Sequence, residues 1–188
     1  MSFYADEEFK NIDFSEKGFI KAEYEECVFI NCNFSNCNLS ASVFTDCRFE
    51  QCNLSLANIN STVFNTVEFS DCKMLGLHWE DCNKIGLSIS FSNCRLDNSS
   101  FFEIDLHQTD FINVQLNGVD FKFCNLCNAI FKECDFIDAT FENTNLKNAD
   151  LQTSYNFIID PELNNLQNAI FSASTLAGLL AKYQIQIK

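Results

Sequence analysis

The chain has 188 residues, of which 47% are hydrophobic, and a formal net charge of −14. It is long enough to bury a sizeable core, and we expect a single domain over residues 1–188. Only twelve Lys and Arg residues are present, which argues against nucleic-acid binding because basic side chains hold a phosphate backbone. The acidity also disfavours anionic membranes, and it favours basic clefts on other proteins, including clefts that hold DNA.

The first residues, 1–6, include acidic side chains and no long apolar run. This composition predicts a loose lead-in rather than a signal peptide. No stretch of the chain approaches the roughly 18 consecutive apolar residues of a membrane-spanning helix. We therefore expect a cytoplasmic protein.

Large apolar residues occupy every fifth position from Phe9 to Met74 and again from Phe91 to Leu151. This five-residue period fits neither regular element. Residues five apart lie about 140° off one face of a helix, and in a long strand they alternate between the two faces. Most of the large residues have a small or compact residue two positions earlier. A fixed period indicates stacked units that cover one another's apolar side chains. The period therefore predicts a solenoid with alternating large and small inward positions.

This pattern resembles the pentapeptide-repeat family, whose units centre on Leu or Phe with a small residue two positions earlier. Residues 32–36 (CNFSN) and 149–153 (ADLQT) are examples. The resemblance covers about residues 7–156. It implies an all-β fold, a right-handed quadrilateral parallel β-helix with four pentapeptides per coil. With only five Gly in the chain, we predict αR or polyproline-like turns rather than left-handed ones.

Every fourth large residue should return to the same side of a four-sided coil. One such column is a ladder of phenylalanines: Phe9, Phe29, Phe49, Phe69, Phe91, Phe111 and Phe131. The step from Phe69 to Phe91 is 22 residues rather than 20. We therefore predict two extra residues within 83–90, in a bulge or short loop at residues 84–87. A tolerated insertion without function is the simpler interpretation.

Eleven cysteines raise the question of disulfides or metal ligands. Cys127 stands apart, and the other ten occupy the small inward position, where a small hydrophobe belongs: Cys27, Cys32, Cys37, Cys47, Cys52, Cys72, Cys82, Cys94, Cys124 and Cys134. Zinc ligands converge at short spacings, whereas these thiols are spread along the chain. Cys124 and Cys127 are the one pair at such a spacing, and their side chains should point to opposite sides of the wall. We expect buried reduced thiols, no metal and no cofactor.

The motifs of common enzymes are missing from the sequence. There is no Gly-rich phosphate loop, nucleophile elbow or cluster of metal-ligating histidines. His78 and His107 each stand alone beside an inward residue. We therefore do not expect an enzyme or a small-molecule substrate.

The five-residue pattern degrades after Thr153. Asp160 followed by Pro161 predicts a helix N-cap with proline at the first helical position, and a unit resembling the repeat returns at residues 166–171. A terminal helix would present one apolar face formed by Leu176, Leu179, Leu180 and Tyr183. Residues 184–187 alternate as in a short strand. We expect residues 157–188 to cap the solenoid and to form a homodimer about a two-fold axis.

This C-terminal end resembles that of the quinolone-resistance pentapeptide proteins, the Qnr and MfpA group. The resemblance implies an acidic, DNA-shaped homodimer that binds a type II topoisomerase, DNA gyrase or topoisomerase IV, and it implies fluoroquinolone resistance. The chain departs from the plasmid-borne members because it lacks their projecting loops, and it is closer to the loop-free type.

The predicted topoisomerase contacts are the outward acidic residues beside the phenylalanine ladder: Glu50, Glu68, Asp71, Asp110, Glu133 and Asp150. About seven and a half coils stacked at about 4.8 Å give a rod of roughly 36 Å. The same length of B-DNA carries about 21 charges, so a charge of −14 is of that order. The alternative is a structural or scaffolding solenoid with another protein partner, because fold does not fix function. Dimerisation together with gyrase inhibition would distinguish the topoisomerase ligand from the scaffolding solenoid.

Overall fold

The five-residue period folds into a right-handed parallel β-solenoid in the computed structural model, which describes residues 2–186. Each coil has four sides, and residues 20 apart pair in parallel register, as Phe29 does with Phe49. Because a pentapeptide has one side and one corner, four units close a coil and the next coil stacks on it. The predicted fold class is confirmed.

Two sides of the solenoid carry regular strands. A four-stranded sheet contains β1 (Ser2–Ala5), β3 (Ala22–Glu25), β5 (Val43–Thr45) and β7 (Val63–Asn65) in that order. A seven-stranded sheet contains β2 (Glu8–Lys10), β4 (Val28–Ile30), β6 (Arg48–Glu50), β8 (Val67–Ser70), β9 (Ile89–Ser92), β10 (Asp110–Ile112) and β11 (Ile130–Lys132). The other two sides pair through isolated bridges such as Asn33 with Asn53 and Asn38 with Asn58.

The phenylalanine ladder runs along the inside of the seven-stranded sheet, as predicted. The rings of Phe29 and Phe49 stack with centroids 4.7 Å apart, and those of Phe111 and Phe131 with centroids 4.8 Å apart. All members except Phe9, which is half-buried at the open end of the first coil, are at most 1% exposed. Stacked rings gain packing energy beyond the area that they bury, so this column is a large part of the core.

The small inward position also satisfies backbone carbonyls. Cys52 Sγ donates to the carbonyl of Phe29 in the previous coil at 3.3 Å, and Thr62 Oγ1 donates to the carbonyl of Leu39 at 2.9 Å. Burial raises the pKa of Cys47 and of Cys134 to about 12, which keeps these thiols protonated as donors. All eleven cysteines are free, ten of them are buried and Cys127 is half-exposed, so the predicted placement of the thiols is confirmed.

A thiol reagent should therefore label one cysteine in the native protein and eleven after denaturation, because a buried neutral thiol is unreactive. The variant Cys127→Ser should lose the native labelling altogether. Mass spectrometry of the labelled protein counts the adducts. Fast labelling of four or more thiols without unfolding would contradict the buried arrangement.

The corners differ from the prediction, which was wrong about their conformation. At most corners the second residue after the inward one has a positive φ, for example 56° at Asn36 and 57° at Phe123. Asparagine and aspartate tolerate this left-handed conformation better than other residues with a side chain, and they fill many of the corners. Asparagine side chains also link successive coils, as where Asn148 Nδ2 donates to Asn128 Oδ1 at 3.0 Å. Most corners therefore turn without glycine, and the exceptions include Gly76 and Gly118, which follow Met74 and Leu116.

The predicted lead-in at residues 1–6 was wrong for the described part of that segment. Strand β1 pairs with β3 in register, and the ring of Tyr4 stacks on that of Tyr24 with centroids 5.2 Å apart. Tyr4 is five residues before Phe9, so the first coil already has its inward residue. A short helix α1 (Phe14–Lys17), capped by the Asp13 carboxylate, forms the next turn.

The predicted insertion is confirmed. Val67 pairs with Ile89 and Phe69 pairs with Phe91, a step of 22 residues. Lys84 turns outward and its Nζ donates to the carbonyl of Glu103 at 3.1 Å, while Ile85 is 85% exposed. No strand forms over residues 83–88, and the four-stranded sheet ends at β7.

Coil pairing extends past residue 156, where the sequence interpretation ended the β-helix, because Asn145 pairs with Asn165 and Asp150 pairs with Ile170. Asp160 does not start a helix as predicted: residues 161–163 form a turn, and the Asp160 carboxylate accepts from the Glu162 N–H at 2.9 Å. Proline is equally suited to such a turn.

The terminal helix is shorter than predicted. Helix α2 (Ala177–Leu180) lies between two 3₁₀ turns, Ala173–Thr175 and Ala181–Tyr183. Residues 184–186 form no strand, and Ile187 lies outside the described residues. The cap docks through its backbone, since the Ile159 N–H donates to the Gly178 carbonyl at 3.1 Å.

Candidate functional site

All six predicted acidic contacts lie on one side of the solenoid. Glu50, Glu68 and Asp110 project outward from strands β6, β8 and β10, and Asp150 bridges to Ile130 and Ile170. Asp71 and Glu133 occupy left-handed corners that follow the same sheet, with φ of 54° and 57°. We call the outward surface of the seven-stranded sheet, with these corners, the acidic face.

Few basic groups neutralise the acidic face. Glu50 lies 3.7 Å from Arg48. The other five predicted contacts form no ion pair with any group among residues 2–186. Their charges therefore add to a negative potential along the rod, with coil positions repeating at about 4.8 Å.

A second group of carboxylates was missed by the sequence interpretation. Asp6, Glu26 and Asp46 occupy the corner after the four-stranded sheet on three successive coils. The Asp6 carboxylate accepts a hydrogen bond that only the protonated Glu26 can donate, and this bond together with the charge of Asp6 raises the pKa of Glu26, as expected for crowded like charges. Their 20-residue spacing in the sequence could have shown that these three acids stack on successive coils.

The bulge opens a groove in this same corner. At Asp6, Glu26 and Asp46 the backbone N–H donates to a carbonyl of the next coil. Thr66 is the next residue of the series, and within residues 2–186 its N–H has no partner. Residues 86–88 line a cleft there between Thr66 and Gln108, although the Ser88 backbone still bonds to Phe64 and Val67 in the coil before.

Two adjoining clefts form this opening, which we call the corner groove. The larger has a volume of about 500 Å³ and the smaller about 180 Å³, and both are lined by Thr66, Ser88, Ile89 and Gln108. The larger is also lined by Asn65, Gly86, Leu87, Asp105, His107 and Thr109, and the smaller by Val67, Glu68, Ser90 and Asp110. The structure thus brings Glu68 and Asp110, two of the six predicted contacts, to the rim of one groove.

The two histidines each have an acidic neighbour two residues away in the chain. His107 Nδ1 lies 3.1 Å from Asp105 Oδ1, and His78 Nδ1 lies 3.1 Å from Glu80 Oε1. Over residues 2–186, no group of three or more His, Cys, Asp and Glu side chains could hold a metal ion. The same residues contain no helix long and apolar enough to cross a membrane.

The predicted dimer residues do not share one face. Leu176, Leu180 and Tyr183 are 43%, 36% and 54% exposed, whereas Leu179 packs against the core. The short helix changes to a 3₁₀ turn after Leu180, so the spacing of a continuous helix is lost. Tyr183 Oη donates to Glu162 Oε1 at 3.0 Å.

The terminal segment is held to the preceding turn by charge. Lys182 Nζ lies 2.6 Å from the Asp160 carboxylate and 2.7 Å from that of Glu162. Several apolar side chains of this end are nevertheless exposed. We call them the terminal apolar set: Ile158, Leu163, Leu176, Leu180, Tyr183 and Ile185.

The stacked coils, the inward residue every five positions and the acidic outer wall define a class, the parallel β-solenoids built of five-residue units. The model of the pentapeptide repeat region matches residues 22–89 and 87–155. The chain belongs to the pentapeptide-repeat family.

Solved structures show the same fold. A trypsin-treated form of QnrB1, a plasmid-mediated fluoroquinolone resistance protein, is 16% identical over 100% of both chains, with a TM-score of 0.66. HetL, a pentapeptide repeat protein involved in heterocyst differentiation regulation from the cyanobacterium Nostoc sp. strain PCC 7120, is 15% identical. That match covers 91% of this chain and 86% of HetL, with a TM-score of 0.58. A comparison with curated protein sequences finds no significant match.

Proposed function

We propose that this protein binds a type II topoisomerase, DNA gyrase or topoisomerase IV, in place of duplex DNA. The observation that carries the proposal is the acidic face: a rod with a stacked core presents five carboxylates without ion pairs among the described residues on one side. The full-length match to the fold of QnrB1, a fluoroquinolone resistance protein, supports this choice of partner. By modulating the topoisomerase the protein would confer fluoroquinolone resistance.

The binding would be mainly electrostatic. A topoisomerase holds DNA on a basic surface, and an acidic rod of similar length would be steered to it by charge. Salt screens exposed charges over about 10 Å at 0.1 M ionic strength, so the affinity should fall steeply as salt rises. The free thiols fit a reducing cytoplasm.

Purified protein should inhibit DNA supercoiling by gyrase at micromolar concentration, and excess linear duplex should relieve the inhibition. The variant Asp110→Lys, Glu133→Lys and Asp150→Lys should inhibit much less, because it reverses the charge of the acidic face. These outward side chains contribute little to the core, so the fold should survive. A supercoiling assay over a range of salt concentrations measures the effect.

The matched control reverses three acids on the opposite side of the coil, Glu103→Lys, Asp120→Lys and Glu142→Lys. Both variants change the net charge by the same amount, and both include one left-handed corner, since Glu103 and Glu133 have φ of 55° and 57°. The control should retain most of the inhibition. Equal loss in both variants would contradict the choice of face. Wild-type protein that neither binds nor inhibits gyrase or topoisomerase IV at low salt would favour a scaffolding solenoid with another partner.

We also propose that two copies associate through their C-terminal ends as a homodimer. The terminal apolar set leaves six large side chains 36% to 66% exposed at one end of the solenoid. Exposed apolar surface of this kind is typical of protein interfaces, and a two-fold axis would pair the set with itself. The resulting rod would be about twice as long.

The variant Leu180→Asp should convert the dimer to a monomer, because a charge cannot be paired in an apolar interface. Leu180 is 36% exposed in the single chain, so the fold of each copy should be unaffected. Light scattering at tens of micromolar gives the mass of both proteins. A monomeric wild type would rule out this interface.

A further inference from the structure

The corner groove lies at the corner that follows the four-stranded sheet, at the level of the bulge. In regular coils the left-handed residue fills this corner, as Asp46 and Asn128 do. In the coil of the bulge the left-handed residue is Gly86, which has no side chain, and within residues 2–186 the N–H of Thr66 at the same groove has no partner.

Two carboxylates line the part of the groove that runs along the seven-stranded sheet. Glu68 pairs with Ser90 in the next coil, and the pairing of Phe91 with Phe111 places Asp110 beyond Ser90 in the same column. The two acidic residues are thus two strand spacings apart, about 9.6 Å, with a small serine between them. All three side chains line the groove.

The floor and the far end of the groove differ in character. Leu87 and Ile89 provide apolar surface on the floor. Asp105, held by His107 at 3.1 Å, lies at the far end. Lys84, the basic residue of the bulge, is turned away to the Glu103 carbonyl, so it does not neutralise the groove.

We propose that the corner groove binds the guanidinium group of an arginine side chain presented by a protein partner. A guanidinium carries donors on several edges of a plane, so it can bridge Glu68 and Asp110 across Ser90. Its aliphatic stem would lie on Leu87 and Ile89. The proposal rests on the proposed function, because it assigns one contact of the basic partner to one place on the acidic face.

Arginine fits this groove better than lysine or a metal ion does. An ammonium is a compact point charge with no fixed fork, so it can approach one carboxylate but bridges two distant ones poorly. A metal ion needs several oxygen ligands that converge within about 2.6 Å of one point, whereas these carboxylates stand on separate coils.

The test is a titration of the whole protein with N-acetyl-arginine amide, followed by NMR of the backbone amides. We expect saturable shifts at Thr66, Ser88, Gln108 and Asp110 in the millimolar range, and clearly weaker binding of N-acetyl-lysine amide. The variant Glu68→Gln with Asp110→Asn should bind at least about tenfold more weakly, because charge-assisted hydrogen bonds are lost. The control Glu142→Gln with Asp120→Asn, on the opposite side, should bind as the wild type does.

Deletion of Ile85 and Gly86 provides a second variant. It restores the 20-residue step from Phe69, refills the corner and should abolish the shifts while the coils still stack. If the wild type shows no saturable shifts, or if the lysine probe binds equally well, the arginine site is refuted. Shifts that survive in both groove variants refute it as well.

The supercoiling assay separates this inference from the proposed function. Inhibition by the wild type with unchanged inhibition by the groove variants would leave topoisomerase binding intact and refute the groove as its contact. Arginine binding without any inhibition would retain the site and refute the topoisomerase as partner.

Discussion

Replacing Phe111 by alanine should lower the free energy of unfolding by about 3–5 kcal/mol, the usual cost of truncating a buried phenylalanine. The ring is 0% exposed and stacks on those of Phe91 and Phe131, with centroids 5.2 Å and 4.8 Å away. The backbone pairing of strands β9, β10 and β11 holds the coils at a fixed spacing, so the cavity cannot collapse. Urea unfolding followed by circular dichroism measures the loss.

The control for this variant is Phe3→Ala in strand β1. Phe3 is 58% exposed, and exposed substitutions usually change stability by less than about 0.5 kcal/mol. A loss for Phe111→Ala as small as that of the control would contradict the assignment of the ladder as a large part of the core.

Replacing Gly178 by alanine should release the cap, although helix propensity alone predicts a gain of about 0.8–1.0 kcal/mol for this change within α2. A Cβ atom at this position would lie 2.1 Å from the carbonyl oxygen of Phe157, so the helix must move away. The bond from the Ile159 N–H to the Gly178 carbonyl would be lost with it. We expect a net destabilisation of about 1–3 kcal/mol, typical of overpacking.

Hydrogen exchange of residues 173–183 and the melting temperature test this expectation. The reciprocal change Ala177→Gly, one residue earlier in α2, should destabilise the protein only through the lower helix propensity of glycine, by about 1 kcal/mol. Faster exchange of the cap in Gly178→Ala supports the backbone contact. A variant that melts higher than the wild type would show that propensity outweighs the contact with Phe157.

The core could be predicted because its positions have a strong compositional signal. A large residue at every fifth position and a small one two before it identify the inward side chains, and the 22-residue step from Phe69 to Phe91 locates the bulge. The corner conformation was missed because few glycines were taken to mean few left-handed residues. The frequent asparagines at the corners, such as Asn36 and Asn148, were the better indicator.

The remaining differences arise from contacts between distant residues. Helix α2 is four residues long and is held by the approach of Gly178 to Phe157, which no local pattern reveals. The corner groove forms at the bulge, where among residues 2–186 Thr66 lacks the backbone partner that Asp46 has in the coil before it. The sequence locates the extra residues, but it does not show which side chains then line the gap.

Competition with duplex DNA for gyrase is the most direct test of whether this protein binds in place of DNA. A fluorescently labelled linear duplex bound to gyrase should be displaced by the wild-type protein at micromolar concentration and low salt, and the fluorescence anisotropy should fall to that of the free duplex. The variant Asp110→Lys, Glu133→Lys and Asp150→Lys should displace far less, and displacement by the wild type should weaken steeply as salt rises. Anisotropy that stays at the value of the bound duplex at every wild-type concentration would contradict binding in place of DNA.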